Sequence, residues 1–448
     1  MKAYGAASWI SAALFTLLLP GTHATPIDRR AGISSCLSGA DVTIVGPSDS
    51  GYSADSKAFN ERLSYQPAAI VYPGSLPDSY GLGGENGHLI VDLSKLKSIS
   101  LDASSGNVAS QTGNRLGDLA TSLWNQGQRA LPHGTCPYVG SGGHTAFGGF
   151  GPFSRVGGLL LDRVVSADVV LANGTAVTAS ASQYSDLFWA LRGAGASYGI
   201  VTSWTYSTLP APQNNIYWEI NFSDSLAKSK LTSALVAFQT FASSSLPDEF
   251  WMQAVLGADG DGGISLGFSG TYFGTASDFK TQLNGGTGLS TSAPETPDTF
   301  FAKSLITTTA LPQSTWASWA NFLYSSATDT DLDWFVEIDL YGGAISRVGK
   351  DDTAFAHRDA IFTFQLYASS ANSKPPYPSD GISFVSDMLA SIDTNPQAAY
   401  ANYVDPTLTP AQWQTQYYDG HYQRLTQVKA AYDPNNVFSF PQSIGLTA

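Results

Sequence analysis

Apolar positions recur along this chain with two different periods. Between residues 113 and 131, Leu116, Leu119, Ala120, Leu123 and Trp124 return every three to four residues, so the segment predicts a helix with those side chains on one face. Strand-like runs at 163–171 and 174–179 follow, joined through Asn173-Gly174, a dipeptide suited to a tight hairpin. Residues 185–192 predict a helix that Gly193 stops, and 200–206 a strand. After Leu209-Pro-Ala-Pro212 the period becomes two. Runs at 216–222, 250–256, 264–273, 334–341 and 361–367 predict one antiparallel sheet, with helices such as 231–242 on one face. Alternation sends Trp334, Val336, Ile338 and Leu340 to one side and Phe335, Glu337, Asp339 and Tyr341 to the other. Thr363, Gln365 and Tyr367 likewise oppose Phe362, Phe364 and Leu366. One face is therefore apolar and the other polar and aromatic. Two readings of the polar face are open: it is solvated, or it is a wall on which sugar rings stack and bond. A helix over 411–432 closes the chain, and Tyr400 and Tyr403 share a face if their segment is helical.

Between the two patterns lies a glycine-rich stretch, His133-Gly-Thr-Cys136-Pro-Tyr-Val-Gly140-Ser-Gly142-Gly143-His144, continuing through Gly149. Bare backbone lets main-chain N–H groups close on a flat or phosphorylated ligand, and a plain flexible loop is the alternative. A second glycine run, 193–199, follows a helix and enters a strand. That is the reverse of a Rossmann fingerprint, so no such fold is expected.

Composition narrows the function. A chain of 448 residues, 43% hydrophobic and 12% aromatic, can bury one large core or two. Net charge −14 excludes a footprint for nucleic acid or an anionic membrane, and a charged fraction of only 13% suits a neutral polar substrate. Residues 1–24 carry Lys2, an apolar stretch over 12–19 and Thr22-His-Ala24, the pattern of a secretory signal; Arg29-Arg30 is a candidate second cut. A secreted protein is expected, with glycosylation acceptors at Asn173 and Asn221. The two cysteines, Cys36 and Cys136, either pair with each other or leave Cys136 for a cofactor.

His133-Gly-Thr-Cys136-Pro, Val139-Gly-x-Gly-Gly-His144, Asp186-Leu-Phe-Trp-Ala-Leu-Arg-Gly193-Ala-Gly, Gly199-Ile-Val201, Tyr400-x-Asn-Tyr403-x-Asp405 and Asp433-Pro-x-Asn-Val-Phe438 together resemble the berberine-bridge-enzyme-like FAD-linked oxidases. Within that family the chain looks most like the secreted fungal gluco- and chito-oligosaccharide oxidases. The resemblance implies an α+β fold of the vanillyl-alcohol oxidase type. Its FAD-binding domain spans 36–208 plus 395–446, and a substrate domain at 209–394 has an antiparallel sheet backed by helices. It further implies FAD bonded at C6 to the sulfur of Cys136, and lined by His133, Gly134, Thr135, Gly140, Gly142, Gly143, His144, Gly149, Gly199, Ile200 and Val201. Tyr403 is then the general base, helped by Asp339, with Gln253, Glu337, Gln365 and Tyr400 as sugar contacts and no metal. The implied reaction oxidises the C1 hydroxyl of an oligosaccharide reducing end to a lactone and O2 to hydrogen peroxide, in a monomer. A flavin oxidase of a phenolic or secondary metabolite is the rival enzyme, and an inactive sugar-binding protein the rival from another class.

One departure stands out. The family's histidine for a second flavin bond lies in an Arg-x-Ser-Gly-Gly-His segment, reached through a strand and helix. Here Pro67-Ala-Ala-Ile-Val-Tyr-Pro73 is followed almost at once by Tyr80-Gly-Leu-Gly-Gly. Residues 74–79 are too few for the crossover that a parallel strand pair requires. Either the coding sequence lacks an exon's worth or the protein has lost one covalent tether, and no histidyl link is identifiable; His144 and His88 are not assigned to it. The family partner of Cys36 would fall in the missing piece.

Overall fold

The change of period near residue 209 reappears as a change of architecture in the computed structural model, which describes residues 43–72, 86–222, 226–282, 297–392, 394 and 397–447. The leader read at 1–24, Arg29-Arg30, Cys36 and residues 73–85 lie outside the described residues. Strands β1 (Thr43–Val45), β2 (Ala69–Tyr72) and β3 (Leu89–Val91) form a small sheet in that order. β2 and β3 are parallel, with Ala69 opposite Leu89. The connection between them runs through residues 73–88, of which 73–85 lie outside the described residues.

Next come β4 (Ile99–Asp102), β5 (Asn107–Gln111), the short β6 (Arg129–Ala130), β7 (Val164–Val170), β8 (Ala176–Ser180) and β9 (Ile200–Ser207). Five of them form a sheet in the order β4-β5-β9-β7-β8, while β6 pairs with β10 (Leu209–Pro210). The helix Leu116–Gly127 buries Leu116, Leu119 and Leu123 completely, as its periodicity predicts. Trp124 instead is 48% exposed. Each residue turns the helix by about 100°, and a stripe centred on those three leucines leaves the next position at its margin. Helix Ser185–Ala194 kinks at Gly193, whose φ of 143° is open to glycine and whose Cα lies against the backbone of Ala354 and Phe355.

Six strands, β11 (Ile216–Phe222), β12 (Phe250–Ala258), β13 (Ile264–Tyr272), β14 (Phe300–Thr307), β15 (Leu332–Leu340) and β16 (Phe362–Ser370), form one antiparallel sheet ordered β11-β13-β12-β15-β16-β14. Helices Lys228–Ala242, Gln313–Phe322 and Gly381–Ala390 supply the core against its apolar face, where Trp316 and Trp319 meet Phe364. Sequence reading missed β14. Every one of its residues is buried, so it shows no alternation, and Lys303 in its middle disguises it further. The expected helix over 411–432 is two helices, Pro410–Tyr418 and Tyr422–Tyr432. Asp419, with φ 47° and an ion pair to Lys350, breaks them so that His421 turns inward. Among the described residues no helix is long and apolar enough to cross a membrane.

Candidate active site

The cysteine loop is closed at its base. Adding a Cβ to Gly151 would drive it into the carbonyl of His133, so the two ends of the loop touch. Its tip lies along the start of helix Leu116–Gly127, where Leu116 and Gly117 donate backbone N–H groups to Val139 and Pro137 at 3.0 Å each. Cys136 is half-buried in this tip, and Thr135 beside it is exposed. The glycines are bare for different reasons. Gly142 abuts Thr112, Gly149 abuts Leu160 (2.5 Å to its Cβ) and Gly199 abuts Val169 and Val170, so the protein's own atoms demand their lack of a side chain. Gly134 is tight against His144. Gly140 and Gly143 alone in this loop face open space, with nothing within 4 Å of where a Cβ would stand.

Two imidazoles stand under the loop. His133 Nδ1 lies 2.8 Å from the Gly134 carbonyl, and His144 Nε2 accepts the Gly134 N–H at 3.0 Å. Burial lowers both, His144 to about 3 with a further push from His133, so both are neutral near neutral pH. The second glycine run packs Gly195 onto Ala146, and the Thr112 hydroxyl donates to the Val201 carbonyl while its methyl meets Gly142. Val201 at the start of β9 is thereby brought near Gly142 through Thr112.

The segment Tyr400–Asp405 is a turn rather than a helix, closed by the Tyr403 N–H on the Tyr400 carbonyl at 2.9 Å. Tyr400 is 4% exposed; its hydroxyl accepts the Gly149 N–H at 3.0 Å and Asn402 Nδ2 at 2.8 Å, tying this turn to the cysteine loop. Tyr403 meets the Tyr400 ring edge-on at 5.2 Å and is half-buried. On the other side Ser304 Oγ accepts the Tyr400 N–H at 2.8 Å, and Lys303 Nζ reaches Asp405 at 2.5 Å and Thr407 at 2.9 Å. The turn that carries Tyr403 is thus clamped between the loop and β14.

Strand register then sets what faces this turn. One cross-strand row runs Gln253, Asp339, Thr363, Ile306, with Ile306 bridged to Ala398; the next runs Val255, Glu337, Gln365, Ser304. Residues directly opposite share a face, so Gln253, Glu337, Asp339 and Gln365 project together, toward the side on which Ser304 holds Tyr400. This face is closed off around Asp339, which is 6% exposed, Thr363 (1%) and Tyr341 (0%), while Gln253, Glu337 and Gln365 are half-buried. Burial raises Asp339 well above the usual carboxylate range, with Glu337 adding repulsion, and burial raises Glu337 as well. Sequence reading placed Thr363 on the polar face but missed Ser304 and Lys303 as parts of this region. Among the described residues no three His, Cys, Asp or Glu side chains gather to hold a metal ion.

Known proteins match the chain over nearly its whole length. The family model "Berberine and berberine like" matches residues 399–445, and an "FAD binding domain" model matches 70–180. A chitooligosaccharide oxidase of Gibberella zeae is 34% identical over 488 aligned residues, covering 95% of this chain and 97% of the relative. The structure of a xylooligosaccharide oxidase from Myceliophthora thermophila C1 in complex with xylobiose matches with TM-score 0.85 and 33% identity, over 93% of this chain and 99% of that one. A glucooligosaccharide oxidase from Acremonium strictum, described as carrying a 6-S-cysteinyl, 8α-N1-histidyl FAD, matches with TM-score 0.83 and 30% identity, over 93% and 99% of the two chains.

Proposed function

This chain belongs to the berberine and berberine-like FAD-linked oxidases, and from that membership we propose that it oxidises the C1 hydroxyl of an oligosaccharide reducing end to a lactone, with O2 reduced to hydrogen peroxide. The observation that carries the reading is that Ser304, in one cross-strand row with Glu337 and Gln365 and next to the row of Gln253 and Asp339, holds the turn that bears Tyr403. The division of labour follows the two cores. Residues 36–208 with 395–446 form the FAD domain, and 209–394 the substrate domain.

The residues present fit the flavin. Gly140 and Gly143 leave open backbone, His133 and His144 are neutral and polar, and the half-buried Cys136 sits in the same loop. The Cys136 sulfur is the proposed attachment to C6 of the ring system. No histidyl link is assigned, since the Nε2 of His144 already accepts a backbone hydrogen bond. The alignment with the chitooligosaccharide oxidase of Gibberella zeae runs over 488 positions, more than the 448 residues of this chain, which supports the reading that an internal piece is missing here. When bound, FAD accepts the hydride and passes the electrons to O2.

Everything else falls to the chain. Tyr403 takes the proton of the C1 hydroxyl. A phenol of ordinary pKa about 10 is a weak base at neutral pH, so it needs a group that draws its own proton away. Asp339 is proposed as that group, since in its ionised form it accepts a hydrogen bond from the phenol and draws the proton toward itself. Gln253 and Gln365 bond sugar hydroxyls and orient the ring. Tyr400 holds the loop to the turn. Secretion is part of the proposal, supported by the exposure of both acceptor asparagines, Asn173 and Asn221. The test is a peroxide assay across cello-, chito- and xylo-oligosaccharides, beside a check for yellow colour surviving acid precipitation. Colourless protein, or no peroxide from any sugar, sinks the reading.

A further inference from the structure

Two carboxyls stand two residues apart on β15, about 7 Å along the strand, and project to the same face. Across the strand Glu337 faces Gln365, and Asp339 faces Gln253 on one side and Thr363 on the other, all uncharged. Among the described residues neither carboxyl has a hydrogen-bond or ion-pair partner, and the only charge acting on Asp339 is Glu337. Asp339 is 6% exposed. Two further polar groups point the same way unsatisfied. The Thr363 hydroxyl, 1% exposed, and the Tyr341 hydroxyl, 0% exposed, neighbour each other, yet neither makes a hydrogen bond of good geometry.

Such a set is out of balance. Two like charges side by side, one buried and the other half-buried, disfavour each other's ionisation, and buried polar groups left unmet cost free energy until something meets them. A neutral sugar hydroxyl satisfies the hydroxyls and at most one carboxyl oxygen. A cation with several N–H donors satisfies them and removes the repulsion at the same time.

We propose that the reducing-end ring taken by this face carries a protonated amine, as in a 2-amino-2-deoxy sugar, with the ammonium bound at the carboxyls of Glu337 and Asp339. This rests on the reading above for where the sugar lies, and it departs from the neutral substrate that overall composition suggested. It also joins substrate to mechanism. An ammonium at the pair lets Asp339 ionise, the state in which it accepts a hydrogen bond from the catalytic phenol.

The probes are the β-1,4-linked glucosamine dimer, its N-acetylated counterpart and cellobiose, titrated calorimetrically into the full-length protein near pH 6. The glucosamine dimer binds at least about 10-fold more tightly than the other two, as expected of a charge-assisted contact in a desolvated site. Its binding also releases a proton, measured by repeating the titration in two buffers of different ionisation enthalpy; the neutral sugars release none. In Glu337→Gln the preference falls to within about twofold. Equal or tighter binding of cellobiose or the N-acetylated dimer, binding without proton release, or an undiminished preference in E337Q overturns the proposal. If E337Q does not fold, proton release in the wild type still decides. Preferential binding of the amino sugar without peroxide rejects the oxidase reading alone, whereas oxidation of neutral sugars without amino-sugar preference rejects this inference alone.

Discussion

Tyr403 and Cys136 carry separable roles, and single substitutions tell them apart. Tyr403→Phe removes the proton acceptor and leaves the ring contact with Tyr400, so kcat falls roughly 10²–10⁴-fold while the flavin spectrum stays as in the parent. An unchanged kcat places the base elsewhere. Cys136→Ala abolishes acid-stable flavin, since both imidazoles of the loop are engaged with Gly134. Label surviving in the variant, located by peptide mapping, reveals a second tether. For such single positions the sequence motifs named the chemistry but not the reason for each residue. Gly142, Gly149 and Gly199 read as room for a ligand, yet their neighbours are Thr112, Leu160 and Val169. Which atoms approach a glycine is a fact of tertiary contact, invisible in a one-dimensional string.

The element that most depends on long-range contacts is the Tyr400–Asp405 turn. Its Asp405 is 4% exposed and Lys303, from a strand about a hundred residues earlier, is 6% exposed. Removing one partner of a buried ion pair strands the other charge. Lys303→Met therefore costs about 3–5 kcal/mol in denaturant unfolding, and Lys303→Met with Asp405→Leu recovers much of it. A single variant as stable as the parent shows that the pair is dispensable. Strands β11, β12, β13, β15 and β16 were legible because alternation survives where one face packs on helices and the other is polar. β14 was not, because burial on both sides erases the alternation. The break between helices Pro410–Tyr418 and Tyr422–Tyr432 was equally hidden, as the ion pair of Asp419 with Lys350 joins distant segments.

Across the whole molecule, buried titratable groups pull stability in opposite directions with pH. His144 and His357, lowered by burial to about 3 and about 4, are protonated more readily in the unfolded chain. Their contribution is complete above about pH 6.5 and is lost as pH falls toward those values. Glu337 and Asp339 are raised, so their contribution is present below about pH 4 and lost as pH rises through their folded values. Glu337→Gln accordingly raises the melting temperature at pH 7 by roughly 1–2 °C and leaves it unchanged at pH 4, by calorimetry. An equal shift at both pH values rules out the buried charge as its cause. The linear order of residues was enough to establish the family, the α+β class, the change of architecture near residue 209 and the faces of the sheet, because periodicity and ordered motifs are local and survive in a string. It took the folded molecule to show that the polar face is closed off around Asp339, Thr363 and Tyr341, that Tyr400 is a strut between loop and turn, and that Glu337 and Asp339 lack a counter-charge among the described residues. Burial and charge balance are sums over neighbours that come from everywhere in the chain.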